Sequence, residues 1–175
     1  MHEHVCLYAG SFDPITLGHM DMIERARAIF DRVIVAVSKN PDKRSAFSLE
    51  ERMQMIRIAT QHMTGIEVVA CEGLTVEFAV AHGAHVMLRG LRAVSDFEGE
   101  RSLAQINRAI CSDVETLFLI GKPEHSHISS SGVREMASYG CSLEGFVPEE
   151  IENMIHQHYG CRERKRRGEK EDGRK

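Results

Sequence analysis

The sequence predicts an α/β fold, a doubly wound parallel sheet of five strands with helices on both faces. Short apolar runs rich in β-branched residues alternate along the chain with stretches whose apolar residues recur at helical spacing. Such alternation is typical of βαβ units, which are joined by right-handed crossovers and build a parallel sheet. The length of 175 residues, with 42% hydrophobic and 27% charged residues, suits one domain with a complete core.

Five apolar runs predict the strands. They are short and nearly continuous, as in "VIVAVS", which is the pattern of parallel strands buried on both faces. In chain order, the predicted strands are Val5–Ala9, Val33–Ser38, Ile66–Ala70, Val86–Leu88 and Thr116–Ile120.

Periodic stretches between and after the strands predict six helices. The second helix opens with a capping box formed by Ser48 and Glu51. Four more are predicted at residues 74–82, 95–111, 130–139 and 148–158. The first helix is predicted from an apolar face that holds Met22, Ile23, Ala26, Ile29 and Phe30.

Charge is unevenly distributed along the chain. The net charge is −4, but residues 162–175, "RERKRRGEKEDGRK", carry +4, so the remainder carries −8. An acidic body argues against a general nucleic-acid-binding surface. The tail has no apolar residue and is predicted to be solvated and disordered, with an RNA or anionic-surface contact as the alternative. Residues 1–160 are therefore predicted to form a single domain, followed by a charged tail at 161–175.

Cysteine usage and hydropathy indicate a cytoplasmic protein. No apolar run approaches the roughly 20 residues needed to cross a bilayer. The N-terminal residues lack the basic region ahead of an apolar stretch that marks a secretory signal. The five cysteines are widely spaced without a C-x-x-C pair, so we expect reduced thiols rather than disulfides or a zinc site.

Polar loops follow four of the predicted strands. They are "GSFDPITLGH", "SKNPDKRSAF", "RGLRAVSD" and "GKPEHSHISSS". Because the carboxyl ends of parallel strands meet at one edge of the sheet, these loops are predicted to line a common site. In the first loop, Gly10 and Gly18 let an anion approach the backbone, and His19 begins a helix, where the dipole favours negative charge. A cap or a partly buried side chain is the structural alternative for this histidine.

The other loops supply cations and hydroxyls. Arg89 and Arg92 suit phosphate because a guanidinium matches two oxygens, although a surface salt-bridge cluster is the alternative. Lys43 adds a cation from the second loop. Three serines open the fifth helix, where N-capping alone needs only one. Together these groups predict a site for a nucleotide and a second phosphate-bearing molecule.

These residues resemble a known family. "TLGH" matches the T/H-x-G-H signature of the nucleotidylyltransferase superfamily, and "ISSSGVRE" resembles its second signature. With "RGLRAVSDFEGE", the most specific segment, the pattern is similar to the bacterial phosphopantetheine adenylyltransferases over residues 6–159. The resemblance implies a Rossmann-like fold, a homohexamer, Mg²⁺ bound with ATP rather than by protein side chains, and adenylyl transfer from ATP to 4′-phosphopantetheine. The products would be dephospho-CoA and pyrophosphate.

The resemblance also implies roles for individual residues. His19 would stabilise the transition state. The acceptor, 4′-phosphopantetheine, would be bound by Ser11, Lys43, Thr75 and Arg89. ATP would be bound by Ser11, Phe12, His19, Gly90, Leu91, Arg92, Glu100, His125, Ser126, His127, Ile128, Ser129, Ser130 and Ser131. Two of these depart from the family pattern, which commonly has threonine at position 11 and an aromatic residue at position 125.

The implied reaction needs no protein nucleophile. The attacking phosphate oxygen is already ionised at neutral pH, so the protein has to align two anions and stabilise the charge that develops. A pyridine mononucleotide adenylyltransferase and a non-catalytic nucleotide-binding or RNA-contacting protein remain as alternatives. The protonation state of His19 stays open, because the helix N-terminus disfavours a cation whereas phosphates favour one.

Overall fold

A computed structural model describes residues 3–39 and 45–160. Its strands are β1 (Val5–Gly10), β2 (Arg32–Ser38), β3 (Ile66–Cys71), β4 (Val86–Leu91) and β5 (Glu115–Ile120). They form one parallel sheet in the order β3-β2-β1-β4-β5. The predicted α/β fold class is therefore confirmed.

Helices cover both faces of this sheet. They are α1 (Leu17–Arg27), α2 (Leu49–Ala59), α3 (Thr75–Ala81), α4 (Val94–Ile110), α5 (Ser130–Ser138) and α6 (Glu149–His158), with a 3₁₀ turn at Pro123–His125. Alternate residues of β1 enter two different cores. Cys6 and Tyr8 pack with residues of α1, α2, α5 and α6, whereas Leu7 and Ala9 pack with residues of α3. The central strands β1 and β2 are thus buried on both faces, as their continuous apolar runs predicted, whereas the edge strands β3 and β5 are partly exposed.

Two predictions about the elements need correction. The strand predicted at Val86–Leu88 continues to Leu91, because Arg89, Gly90 and Leu91 pair with β5. Arg89 and Gly90 therefore lie in a strand and not in a loop. The first helix ends at Arg27, so Ile29 and Phe30 lie beyond it; Ile29 is 56% exposed, and Phe30 still packs partly against the core. Every other predicted strand boundary, and each boundary predicted for the helices from residue 74 onwards, agrees within one residue, and the capping box of Ser48 and Glu51 is confirmed.

The sheet opens between β1 and β4. Their backbone pairing runs only from Cys6–Val86 to Tyr8–Leu88. Beyond that point β1 stays paired with β2 up to Gly10, and β4 stays paired with β5 up to Leu91. The chain order also reverses here, which makes the gap a topological switch point where α/β sheets bind ligands.

Hydropathy and cysteines complete the description of the fold. Within the described ranges, no helix is both long and apolar enough to cross a membrane. Cys6, Cys71, Cys111 and Cys141 are free thiols, and burial raises the pKa of Cys6 to about 12. The predicted tail at 161–175 lies outside the described residues.

Candidate active site

A cleft of about 450 Å³ occupies the gap between β1 and β4. It lies at the carboxyl ends of these strands, against the start of α1 and the start of α5. The sequence-predicted site residues that line it are Ser11, Phe12, His19, Arg89, Gly90, Leu91, Arg92, His125, Ile128, Ser129 and Ser130. Residues from three of the four predicted loops therefore meet in one place.

The loop after β1 forms one wall of the cleft. Phe12 adopts a φ of 46°, the one positive φ of a non-glycine residue in the described part of the chain. Its ring is buried and packs edge-on against Tyr8, with centroids 5.3 Å apart, and against His19 at 5.1 Å. An aromatic side chain in the left-handed region is uncommon and costs free energy, so the surroundings must hold this turn.

His19 both caps α1 and faces the cleft. The Thr16 amide donates to its Nδ1 at 3.1 Å, and the Thr16 hydroxyl lies at the same distance from that atom. An Nδ1 that accepts from an amide carries no proton, so in the neutral ring the proton resides on Nε2. Burial, followed by the charge of Arg92, lowers the pKa of His19 to about 4. The imidazole is therefore neutral at pH 7 and carries its proton on Nε2. The structural alternative, a helix cap, is observed, and the catalytic role of His19 stays a prediction.

Arg89 is held by a carboxylate. Its Nε and Nη2 donate to the two oxygens of Glu100 at 2.6 and 2.7 Å, and its Nη1 donates to the Ala9 carbonyl at 3.2 Å. The hydrogen bonds to Glu100 raise the pKa of Arg89, with burial acting in the opposite direction. Arg92 lies 3.5 Å from Asp96 and stays half exposed. The salt-bridge alternative is thus correct for both arginines, and both still line the cleft.

The three serines that open α5 have different partners. Ser129 is the N-cap and accepts from the Gly132 amide at 3.1 Å. Ser130 donates to the Pro14 carbonyl at 2.8 Å, which ties α5 to the first loop. The Ser131 hydroxyl lies 3.2 Å from that of Ser129. All three hydroxyls therefore have a hydrogen-bond partner within the protein.

Several predicted site residues lie outside the cleft lining. Glu100 stands behind Arg89, and the Ser126 hydroxyl donates to the Pro123 carbonyl at 2.8 Å. The His127 ring packs edge-on against Phe146 at 5.8 Å. The lining also omits Thr75 and Ser131, and Lys43 falls outside the described residues.

Sequence reasoning missed residues that shape the site. Tyr8, Thr16, Met22 and Gly121 line the cleft. The spacing of Thr16 and His19 resembles a capping box and was a usable signal for the cap.

Two buried charged residues, one in the first loop and one on α2, were also missed. They are Asp13 and Arg52. Arg52 lies three residues after Leu49 and four before Ile56, which places a cation on the apolar face of α2. That conflict in the helical pattern was a usable signal, whereas nothing in the sequence singled out Asp13.

The carboxylates around the cleft are already paired with cations or amides. Glu100 bonds Arg89, Asp96 pairs with Arg92, and Asp21 contacts Arg25 and Lys122. In the chain outside residues 1–2, 40–44 and 161–175, no group of three or more His, Cys, Asp and Glu side chains could hold a metal ion. The carboxylates nearest the cleft are thus engaged by groups of the protein itself.

Comparisons with known proteins agree with this geometry. The cytidylyltransferase-like family model matches residues 7–136. The chain is 49% identical over 160 residues to a phosphopantetheine adenylyltransferase of Carboxydothermus hydrogenoformans, covering 90% of this chain and 99% of that protein. It is 52% identical over 151 residues to one from Parasynechococcus marenigrum, covering 86% and 93%. The chain therefore belongs to the cytidylyltransferase-like family and, within it, to the phosphopantetheine adenylyltransferases.

Proposed function

We propose that this chain transfers the adenylyl group of ATP to 4′-phosphopantetheine, giving dephospho-CoA and pyrophosphate. The observation that carries the proposal is the β1–β4 cleft, where the neutral His19 ring, Arg89 and Arg92 meet beside the start of α5. The reaction uses two phosphate-bearing substrates. The α-phosphorus of ATP is attacked, and the phosphate of the acceptor must be held in line with it, so both need hydrogen-bond donors and cations nearby. Family membership at about half identity over most of the chain supports the same acceptor.

In this mechanism, a phosphate oxygen of the acceptor attacks the α-phosphorus of ATP. The new P–O bond forms as the bond from the α-phosphorus to the bridging oxygen breaks, and pyrophosphate leaves with the electron pair. Since the attacking oxygen is ionised at neutral pH, neither a general base nor a covalent intermediate is required. The Nε2–H of His19 donates where charge builds on the phosphates, and the Ser11 hydroxyl adds a second donor.

Arg89 is the proposed partner of the acceptor's phosphate, and the predicted Lys43 would assist it. Glu100 engages two of the nitrogens of Arg89, so the guanidinium is oriented before any substrate binds. Arg92, Gly90, Leu91 and the residues at 125–131 would then contact ATP, as the family resemblance implies. Thr75 would contact the pantetheine arm.

Mg²⁺ is the proposed cofactor and would enter with ATP. Because the neighbouring carboxylates are paired with cations, the ion would be held by phosphate oxygens and water, which is its common coordination. It would neutralise part of the charge on the leaving pyrophosphate.

We also propose a homohexamer of single-domain chains in the cytoplasm, with residues 1–160 forming the domain. Large apolar side chains are exposed along α4 and on the edge strand β5, including Val94 at 91%, Ile106 at 56% and Ile120 at 74% exposure. An apolar surface of this kind at a sheet edge is suited to burial against another copy. Light scattering should give the mass of six chains.

A pyrophosphate-release assay with a panel of phosphorylated acceptors tests the activity. We expect release with 4′-phosphopantetheine and formation of dephospho-CoA, confirmed by mass spectrometry. Release only with a nicotinate or nicotinamide mononucleotide would establish the pyridine alternative. ATP binding without release under any acceptor would establish a non-catalytic nucleotide-binding protein.

A further inference from the structure

Arg52 is a buried cation whose hydrogen bonds reach the first loop. It lies on α2, is 3% exposed and packs behind the cleft rather than in its lining. Its Nη1 donates to the Ser11 carbonyl at 2.6 Å and to the Ser38 carbonyl at 3.1 Å. Its Nε is buried without a hydrogen-bond partner in the part of the chain that the structure describes. A guanidinium held this way costs desolvation free energy that an apolar residue would avoid.

The charged neighbour of Arg52, Asp13, comes from the same loop. Asp13 attracts it electrostatically, but the Asp13 carboxylate accepts from the Ala46 and Phe47 amides, each at 2.9 Å. Arg134 approaches the same carboxylate at 3.5 Å and donates to the Asp13 carbonyl at 2.6 Å. Asp13 is therefore largely engaged elsewhere, and the hydrogen bonds of Arg52 go to backbone carbonyls.

The bond to the Ser11 carbonyl sets the orientation of one peptide group. In a trans peptide the carbonyl and the following amide point in opposite directions. With the Ser11 carbonyl turned towards Arg52, the Phe12 amide points away from Arg52, and both residues of this peptide line the cleft. Among the described residues, this amide donates to no backbone carbonyl. Phe12 has a left-handed φ, which is strained for an aromatic residue, so contacts from outside the turn must stabilise this conformation.

We propose that Arg52 is a positioning residue for adenylyl transfer. Through the Ser11 carbonyl it orients the Ser11–Phe12 peptide so that the Phe12 amide donates to the phosphate on which charge develops. Through the Ser38 carbonyl it ties the same turn to the end of β2. This role rests on the proposed function, because it assumes a polyphosphate in the cleft.

Arg52→Met tests the role, with Arg57→Met as the matched control. Both arginines lie on α2, but Arg57 is exposed and pairs with Glu50 at 3.2 Å. Removing one preorganised donor lowers kcat by roughly 10²–10³-fold. In Arg52→Met the Phe12 amide is still present but misaligned, so we expect a smaller loss of kcat, roughly 10- to 100-fold. The Michaelis constant of the acceptor should change little, and Arg57→Met should match the wild type. Arg52→Lys keeps the charge and one donor and should recover part of kcat.

Amide NMR of protein labelled with ¹⁵N-phenylalanine gives a readout independent of turnover. We expect the Phe12 resonance to shift on ATP addition in the wild type and in Arg57→Met, and the response to be lost in Arg52→Met. If Arg52→Met does not fold, the same comparison is made with Arg52→Lys, where a reduced response is expected. A kcat within twofold of the control, with an unchanged Phe12 response, would overturn the role. A wild type that makes no dephospho-CoA would overturn the proposed function alone, since the Phe12 response to ATP still reports on Arg52.

Discussion

Substitutions of His19 can separate its two roles, because each ring nitrogen has a different task. Nδ1 accepts from the Thr16 amide and caps α1, whereas Nε2 is the proposed donor to the phosphates. An asparagine amide reaches the position of Nδ1, and a glutamine amide reaches that of Nε2. His19→Asn should therefore keep the cap and lose the catalytic donor, and His19→Gln should do the reverse.

The expected magnitudes follow from these contacts. Removing the Nε2–H donor should lower kcat by roughly 10²–10³-fold, or about 3–4 kcal/mol, in His19→Ala and His19→Asn. Losing the bond to Thr16 should cost about 1 kcal/mol of unfolding free energy, and therefore about 2–4 °C in Tm, in His19→Ala and His19→Gln. Both Michaelis constants should stay nearly unchanged if the donor acts on the transition state alone.

Steady-state kinetics and thermal melts on the three variants provide the test. Partial recovery of kcat in His19→Gln, with a lowered Tm, would support the assignment of Nε2 as the donor. A wild-type kcat in His19→Ala with only an earlier melt would refute it and leave His19 as a purely structural cap. Recovery in His19→Asn but not in His19→Gln would mean that the ring is bound in the opposite orientation.

The low pKa of His19 adds a pH dependence with a definite sign. The histidine binds a proton with a pKa of 6.5 when unfolded and of about 4 when folded, so between these values the unfolded state holds more protons. Its contribution to stability is complete above pH 6.5 and is lost as the pH falls towards 4. The free energy of urea unfolding should therefore fall more between pH 7.5 and 5 in the wild type than in His19→Gln. An equal fall in both would contradict the depressed pKa.

Three further predictions concern the rest of the chain. Arg89→Ala should raise the Michaelis constant of 4′-phosphopantetheine about 10- to 150-fold, because a charge-assisted contact contributes about 1.5–3 kcal/mol. The Michaelis constant of ATP should change less. An equal rise in both constants would refute the assignment of Arg89 to the acceptor. Ile106→Asp should shift light scattering to a smaller assembly, because it places a charge on the exposed face of α4, and an unchanged mass would exclude that face as the interface. Deleting residues 162–175 should leave kcat and Tm nearly unchanged, since they contain no apolar residue, and a large loss of either would show that the tail packs on the domain.

The sequence by itself determined the fold class and most of the element boundaries. The strands are mostly apolar over six or seven residues, and α1, α2 and α5 begin at side-chain caps, so local pattern and global fold agree. It also determined that Ser11, His19, Arg89, Ser129 and Ser130 would meet, because the carboxyl ends of parallel strands share one edge.

Only the tertiary structure decided how those residues are held. The pairing of β4 with β5 draws Arg89 into a strand, and Glu100, one helix away, orients its guanidinium. The proton position on His19 depends on the Thr16 amide and on burial beside Arg92. Arg52 reaches the Ser11 carbonyl across 41 residues of chain. Such contacts join segments that are distant in the sequence and depend on atomic positions within a few ångströms. A periodic sequence pattern indicates which face of an element a residue occupies, but it does not indicate which atoms that residue will contact.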